Sequence, residues 1–138
     1  MVDEARVARL LRGIGDRVTR LRAANDRTRR ERDQMWLDAV KYLFITVIEG
    51  CVDVAQHVAA SEGHAAPDTN ADAIRSLARH RIIGSDLGDS LGRAVGFRNV
   101  LVHQYLEVDD DLVIAALERL DEFDRFIGEI GAWVLDQA

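Results

Sequence analysis

The sequence predicts an all-α protein, a four- to five-helix up-and-down bundle formed by one domain over residues 1–138. Three observations carry that reading. Apolar residues recur every three or four positions in several long windows, the period of an amphipathic helix rather than of a strand. Only one proline occurs, Pro67, so long segments run without a helix breaker. At 138 residues, 48% of them hydrophobic, the chain is large enough to close one core.

Val7, Leu10, Leu11, Ile14, Val18 and Leu21 mark a first helix, with arginines on its other face. A second, long helix is predicted from about Asp33 to Ala60. Its apolar residues run nearly all the way round, which places it at the centre of the bundle. Within it Asp38, Lys41, Glu49, Asp53, Gln56 and His57 fall in one polar stripe at roughly 100° per residue. Residues 61–70, with Gly63 and Pro67, read as a loop. Asn70 is placed to cap a short helix containing Ile74, Leu77 and Ala78. Gly84 then reads as its stop and Ser85 as the next cap. A fourth helix is predicted from Asp86 to about Leu106. The acids Asp109, Asp110 and Asp111 open a fifth, whose stripe runs without interruption from Val113 to Val134.

The net charge of −6 is unevenly spread. Residues 1–32 carry ten arginines against five acids, a balance of +5, and residues 107–138 carry two against ten, a balance of −8. A basic arm and an acidic end suggest different partners, although each alone also suits a solvated helix face. The start, Met1-Val2-Asp3-Glu4, lacks a signal peptide's features. The most apolar run, Tyr42 to Val58, is interrupted by Glu49 and Asp53 and is shorter than a bilayer span. A cytoplasmic location with no membrane partner is expected. The single cysteine, Cys51, sits in an apolar run and reads as a small core residue.

One stretch departs from core-helix composition: Phe97-Arg98-Asn99-Val100-Leu101-Val102-His103-Gln104-Tyr105. Arginine is seldom buried unless paired, so Arg98 needs an explanation. Cleavage of RNA by its own 2′-hydroxyl needs a proton acceptor and positive charge on the phosphorane-like transition state. Histidine exchanges protons near neutral pH, which suits His103 to the first role. The planar guanidinium of Arg98 matches phosphate oxygens. Asn99 is placed to donate to phosphate or to orient the histidine.

Gly84, Gly88, Gly92 and Gly96 repeat every four residues just before this stretch. An interior helical glycine costs about 1 kcal/mol relative to alanine. Close approach of another backbone, within the chain or from a second copy, is the expected compensation. His103 lies roughly 20° from Gly96 on the same face, with Asn99 nearby. Arg98 and Tyr105 share the opposite side with Leu87, Leu91, Val95 and Val102. An arginine there calls for a carboxylate, and Glu49 or Asp53 on the central helix is the natural partner. The Tyr105 ring is expected against Leu101 or Leu106.

The spacing Arg98, four residues, His103, one residue, Tyr105 resembles the Arg-x4-His-x-Tyr signature of HEPN-domain proteins. The fuller run from Gly96 to Asp109 is similar to the HepT-like toxins of prokaryotic HEPN/nucleotidyltransferase pairs. The resemblance is strong from about Ile83 to the C-terminus, looser from Met35 to Pro67 and weak before that. It implies a homodimer whose two motif helices line one cleft, and a metal-independent endoribonuclease needing no cofactor. It implies Arg98 and His103 as catalytic residues, with Asn99, Glu49 and Asp53 supporting. It also implies a type VII-like toxin–antitoxin system, in which a partner nucleotidyltransferase neutralises the toxin by AMP transfer to Tyr105.

Other chemistries lack their residues. There is no Walker loop, dinucleotide-binding glycine motif or nucleophile elbow. His57, His64, His80 and His103 show no metal-ligand spacing. Glu49 and Asp53, one turn apart, could hold a divalent ion, but a salt-bridge role fits better. No adenylating fingerprint is present, so the chain reads as the target of nucleotidyl transfer, not its source. Two rivals to the enzyme are a non-catalytic helical subunit that binds a nucleotidyltransferase and its substrate, and a plain dimeric interaction module.

Overall fold

Capping side chains divide the chain into helices where the sequence changes character. In this computed structural model, residues 1–137 are described; Ala138, the last residue of the predicted domain, lies outside them. Among the described residues there are six α-helices and no strand: α1 Glu4–Asn25, α2 Gln34–Ser61, α3 Asn70–Arg79, α4 Ser85–His103, α5 Asp110–Ala116 and α6 Asp121–Gln137. Short 3-10 turns at Arg29–Glu31 and Leu117–Arg119 precede α2 and α6. Asp3, Asp33, Thr69 and Asp109 each accept a backbone N–H at the start of α1, α2, α3 and α5. Each such cap satisfies a donor that the helix itself leaves unpaired.

The third helix is capped by Thr69, with Asn70 already its first residue. Its far end also differs from expectation. Arg81, not Gly84, takes the left-handed conformation (φ 59°). Arg81 N–H donates to Ala78 and Ile82 N–H to Leu77, the double bond of a Schellman ending. This places Ile82 and Ile83 in the core. Gly84 then caps α4 without a side chain, and its own N–H donates to Glu129 of α6 at 2.7 Å.

Helix α2 packs against α1, α3 and α4, and α1 also packs against α6. Phe44, Ile48, Leu87, Leu91, Leu101, Phe126 and Ile130 fill the centre. An 18-residue window of α2 has mean hydropathy 1.4. By length and composition alone the 28-residue helix could cross a membrane. Within the bundle 56% of that window is buried, so α2 is accounted for as the core helix.

The expected single C-terminal helix is broken at residues 117–119, which form a 3-10 turn. The turn is tied down from outside: Arg119 donates to Ser90 Oγ at 3.0 Å and to Glu122 at 2.6 Å. Val113, Leu117, Leu120 and Phe123 all stay buried through the break. The two charged ends partly meet. Arg22 of α1 reaches Asp121 at 3.2 Å and also bonds Asp124 at the start of α6. So part of the acidic segment is occupied within the chain.

Candidate active site at the end of helix α4

Three of the four regularly spaced glycines are crowded inside the chain, Gly84 by Asp86 and Glu129 and two more by α3. A β-carbon on Gly88 would lie 2.7 Å from the Ala78 β-carbon, and one on Gly92 would lie 2.6 Å from the Arg75 guanidinium carbon. These positions let α3 seat closely on α4. Gly96 has nothing within 4 Å of the equivalent point. The outer face of α4 therefore opens at Gly96 and continues through Asn99, Val100 and His103, all exposed.

Arg98 turns the other way, toward α2. Its Nη2 meets Glu49 Oε1 at 2.6 Å, and its Nη1 donates to Asn99 Oδ1 at 3.1 Å. Its side chain is 22% exposed. Its Nε is buried and has no hydrogen-bond partner among the described residues. Of the two predicted carboxylates Glu49 is the partner, and Asp53 makes no ion pair with Arg98. Asp53 instead lines a cleft of about 200 Å³ with Arg98, Glu49, Gln56 and Asn70. Desolvation on that wall, then the neighbouring Glu49 charge, hold the Asp53 carboxyl above its ordinary value. Glu49 is committed to Arg98, so the two acids do not act as a free pair. Among the described residues no group of three or more His, Cys, Asp or Glu side chains converges to hold a metal.

His103 is the last residue of α4 and lies in solvent. It is five residues from Arg98, about 140° around an ideal helix axis. The chain thus gathers Arg98, Asn99 and Glu49 but sends His103 to the adjoining outer face. Val102 does not belong to the buried side as the motif spacing suggested, and Leu106, one of the two residues expected beside the Tyr105 ring, lies in solvent. Val102 is 41% exposed and Leu106 95%, while Leu101 takes the core position.

Tyr105 lies in the turn after α4, where Glu107 and Val108 N–H groups both donate to the Gln104 carbonyl. Its surroundings include charged neighbours that the sequence did not suggest. The half-buried ring faces Lys41 Nζ, 4.7 Å from the centroid. The hydroxyl donates to Asp38 Oδ1 at 3.0 Å. Lys41, only 4% exposed, donates to the Tyr105 carbonyl at 3.3 Å and pairs with Asp110 at 3.3 Å. Burial, then the Asp38 hydrogen bond and charge, push the phenol above its ordinary value. The sequence placed Asp38 and Lys41 in the polar stripe of α2 but gave them no task. Their i, i+3 spacing puts them on one face of α2 but does not say what that face meets.

An all-helical bundle with a paired arginine, an exposed histidine and an anchored tyrosine at the end of one helix is the architecture of a HEPN-type domain. A model of the Ribonuclease HepT-like family matches residues 11–130, and the chain belongs to that family. The mRNA nuclease HepT of Shewanella oneidensis is 34% identical over 85 residues, 61% of this chain and 64% of that protein. The tRNA nuclease HepT of Aphanizomenon flos-aquae is 22% identical over 90 residues, 64% of this chain and 61% of that protein. The chain thus spans less than two thirds of these curated relatives. Among solved structures, the tri-AMPylated HEPN toxin of Shewanella oneidensis, in complex with an MNT antitoxin, superposes with a TM-score of 0.85. It is 28% identical, over 96% of this chain and 99% of that one. A toxin–antitoxin structure with AMP-PNP gives a TM-score of 0.84 at 26% identity, over 91% and 97% of the two chains.

Proposed function

We propose that this chain is the toxin of a toxin–antitoxin pair, an endoribonuclease that works as a homodimer in the cytoplasm. The observation that carries the reading is the state of Arg98. Glu49 and Asn99 hold its guanidinium before any substrate binds, and its Nε keeps a donor without an acceptor among the described residues. Holding a long side chain in place in advance lowers the entropic cost of fixing it in the transition state.

In the proposed reaction the 2′-hydroxyl of one nucleotide attacks the adjacent phosphorus, and the bond to the 5′-oxygen of the next nucleotide breaks. His103 takes the hydroxyl proton and returns one to the leaving oxygen. Arg98 stabilises the charge on the phosphoryl oxygens, and Asn99 steadies Arg98. No metal is required, because His103 and Arg98 fill the acid–base and electrostatic roles. The products are a cyclic phosphate end and a 5′-hydroxyl end.

Arg98 and His103 face different sides of α4, so a second copy is invoked to bring the two kinds of side chain to one groove. The open face at Gly96 supports this, as do the exposed apolar residues Val100, Val102, Leu106 and Leu112 around it. A nucleotidyltransferase partner neutralises the toxin by transferring AMP to Tyr105. The added phosphate repels RNA and the adenosine blocks the cleft mouth. The relatives' descriptions as nucleases, and the AMP-modified toxin among the structural neighbours, support the same reading.

The test uses the purified protein, single-stranded RNA and a chelator. Cleavage with cyclic phosphate ends is expected. Prior incubation with the cognate nucleotidyltransferase, ATP and magnesium should add AMP-sized mass steps and stop cleavage together. RNA left intact by the unmodified dimer would overturn the nuclease reading.

A further inference from the structure

The hydroxyl that the proposed neutralisation modifies is already hydrogen-bonded inside this chain. Tyr105 O–H donates to Asp38 Oδ1 at 3.0 Å. Gln34 Nε2, one turn earlier on α2, donates to the same oxygen at 2.9 Å and fixes the carboxylate in place. The ring is held from another side by Lys41, which Asp110 pairs with in turn. The phenol is therefore oriented by α2 and not only by the turn that carries it.

We propose that Asp38 is a catalytic residue of the toxin's own adenylylation, the proton acceptor for the Tyr105 hydroxyl. This rests on the adenylylation reading above. In the step, the phenolic oxygen forms a bond to the α-phosphorus of ATP. The bond from that phosphorus to the oxygen bridging the β-phosphate breaks. Pyrophosphate is the leaving group. The phenolic proton passes to Asp38 and then to water. The modified protein thus brings its own base to a reaction that its partner catalyses.

Two features make this assignment necessary rather than decorative. A phenol is a weak nucleophile while it keeps its proton. Here burial and the adjacent carboxylate push its pKa up, so free phenolate is scarcer than for a solvent-exposed tyrosine. Asp38 of α2 is the charged group bonded to the hydroxyl, while Lys41 lies over the ring and pairs with Asp110 of α5. His103 lies two residues before Tyr105, at the end of α4. Asp38 is the group whose oxygen receives the hydrogen bond.

The experiment measures the initial rate of AMP addition to Tyr105, by peptide mass, from pH 6.5 to 9 with the nucleotidyltransferase and magnesium–ATP in excess. The Asp38→Asn protein keeps an acceptor for the hydroxyl and is compared with the parent at every pH. A positioned general base is worth roughly 100-fold or more. The expected result is a loss of about that size near pH 7 that narrows about tenfold per pH unit as phenolate replaces the missing base. Asp38→Glu should restore part of the rate and the parent profile. A rate ratio that does not change with pH would reduce Asp38 to a positioning role and overturn the proposal, as would an unchanged rate. Failure of the parent protein to gain AMP at Tyr105 would instead overturn the adenylylation reading itself. Parent-like thermal unfolding of Asp38→Asn ties its loss of rate to the chemistry.

Discussion

Arg98 and Glu49 meet at 2.6 Å across the contact between α4 and α2, forty-nine residues apart in the chain. The pair holds the proposed phosphate-binding group in place and closes one wall of the polar cleft. Glu49→Ala should lower stability by about 1 kcal/mol or less, because the glutamate is 44% exposed and water screens the pair. RNA cleavage should fall further, by roughly tenfold or more, since an unheld Arg98 must be ordered in the transition state. Urea midpoints and cleavage rates on the same preparations check this. A loss of stability without any loss of activity would detach Glu49 from function.

The three glycines of α4 should respond differently to a methyl group. Gly88→Ala drives a β-carbon into that of Ala78 and should cost about 1–3 kcal/mol. Gly92→Ala meets only the Arg75 guanidinium, the far end of a flexible side chain, and should cost less. Gly96→Ala has open space and should stabilise an isolated chain by up to about 1 kcal/mol. Gly96→Leu should leave the monomer folded and weaken the dimer. Thermal unfolding and sedimentation together read all four variants. An unaltered dimer in Gly96→Leu would move the interface away from this face.

How much of this was legible beforehand follows from which forces act locally. Apolar period placed α1 and α2 closely, because burial of one face dictates it; α4 starts within a residue of expectation but is capped by Gly84 rather than Ser85 and ends at His103 rather than near Leu106. The pairing of Arg98 with a carboxylate of α2 was legible because burying a guanidinium demands it. The Arg81 turn was not, since glycine is the usual left-handed residue and Gly84 stood nearby. The break at residues 117–119 was hidden because the buried residues keep helical spacing through it. The surroundings of Tyr105 depend on contact between α2 and the turn after α4, sixty-four residues apart from Lys41 to Tyr105. No local pattern reports such a contact.

Cys51 should be inert in the folded protein. It is fully buried, and burial pushes its thiol far above the ordinary value, so little thiolate forms. A thiol reagent should label no site in buffer and one site in urea. Rapid labelling of the folded protein would show that α2 opens readily.

Stability should weaken in mild acid through His64. Its ring stacks on His80 with centroids 3.5 Å apart, and its Nδ1 is buried without a partner. Burial, then the neighbouring His80, hold its pKa below 6.5. The folded state therefore takes up the proton less readily than the unfolded state. Its stabilising effect is complete above pH 6.5 and is lost as pH falls through the lower folded value. Asp72 and Asp86, held below ordinary by hydrogen bonds from the Asp68 backbone and from Arg125, act only in stronger acid. Unfolding temperatures from pH 7.5 to 5 should drop less for His64→Phe than for the parent. Parallel curves would exclude His64 as the cause.

His103 is the proposed proton-transfer group of the ribonuclease reaction. The most direct measurement compares single-turnover cleavage of single-stranded RNA by the parent and by His103→Ala, both with chelator. His103 is exposed at a helix end and bonds no other residue that the core needs, so the variant should fold as the parent does. The expected result is a loss of roughly 100-fold or more, with dimer mass and unfolding temperature unchanged. Cleavage by folded His103→Ala at the parent rate would contradict it.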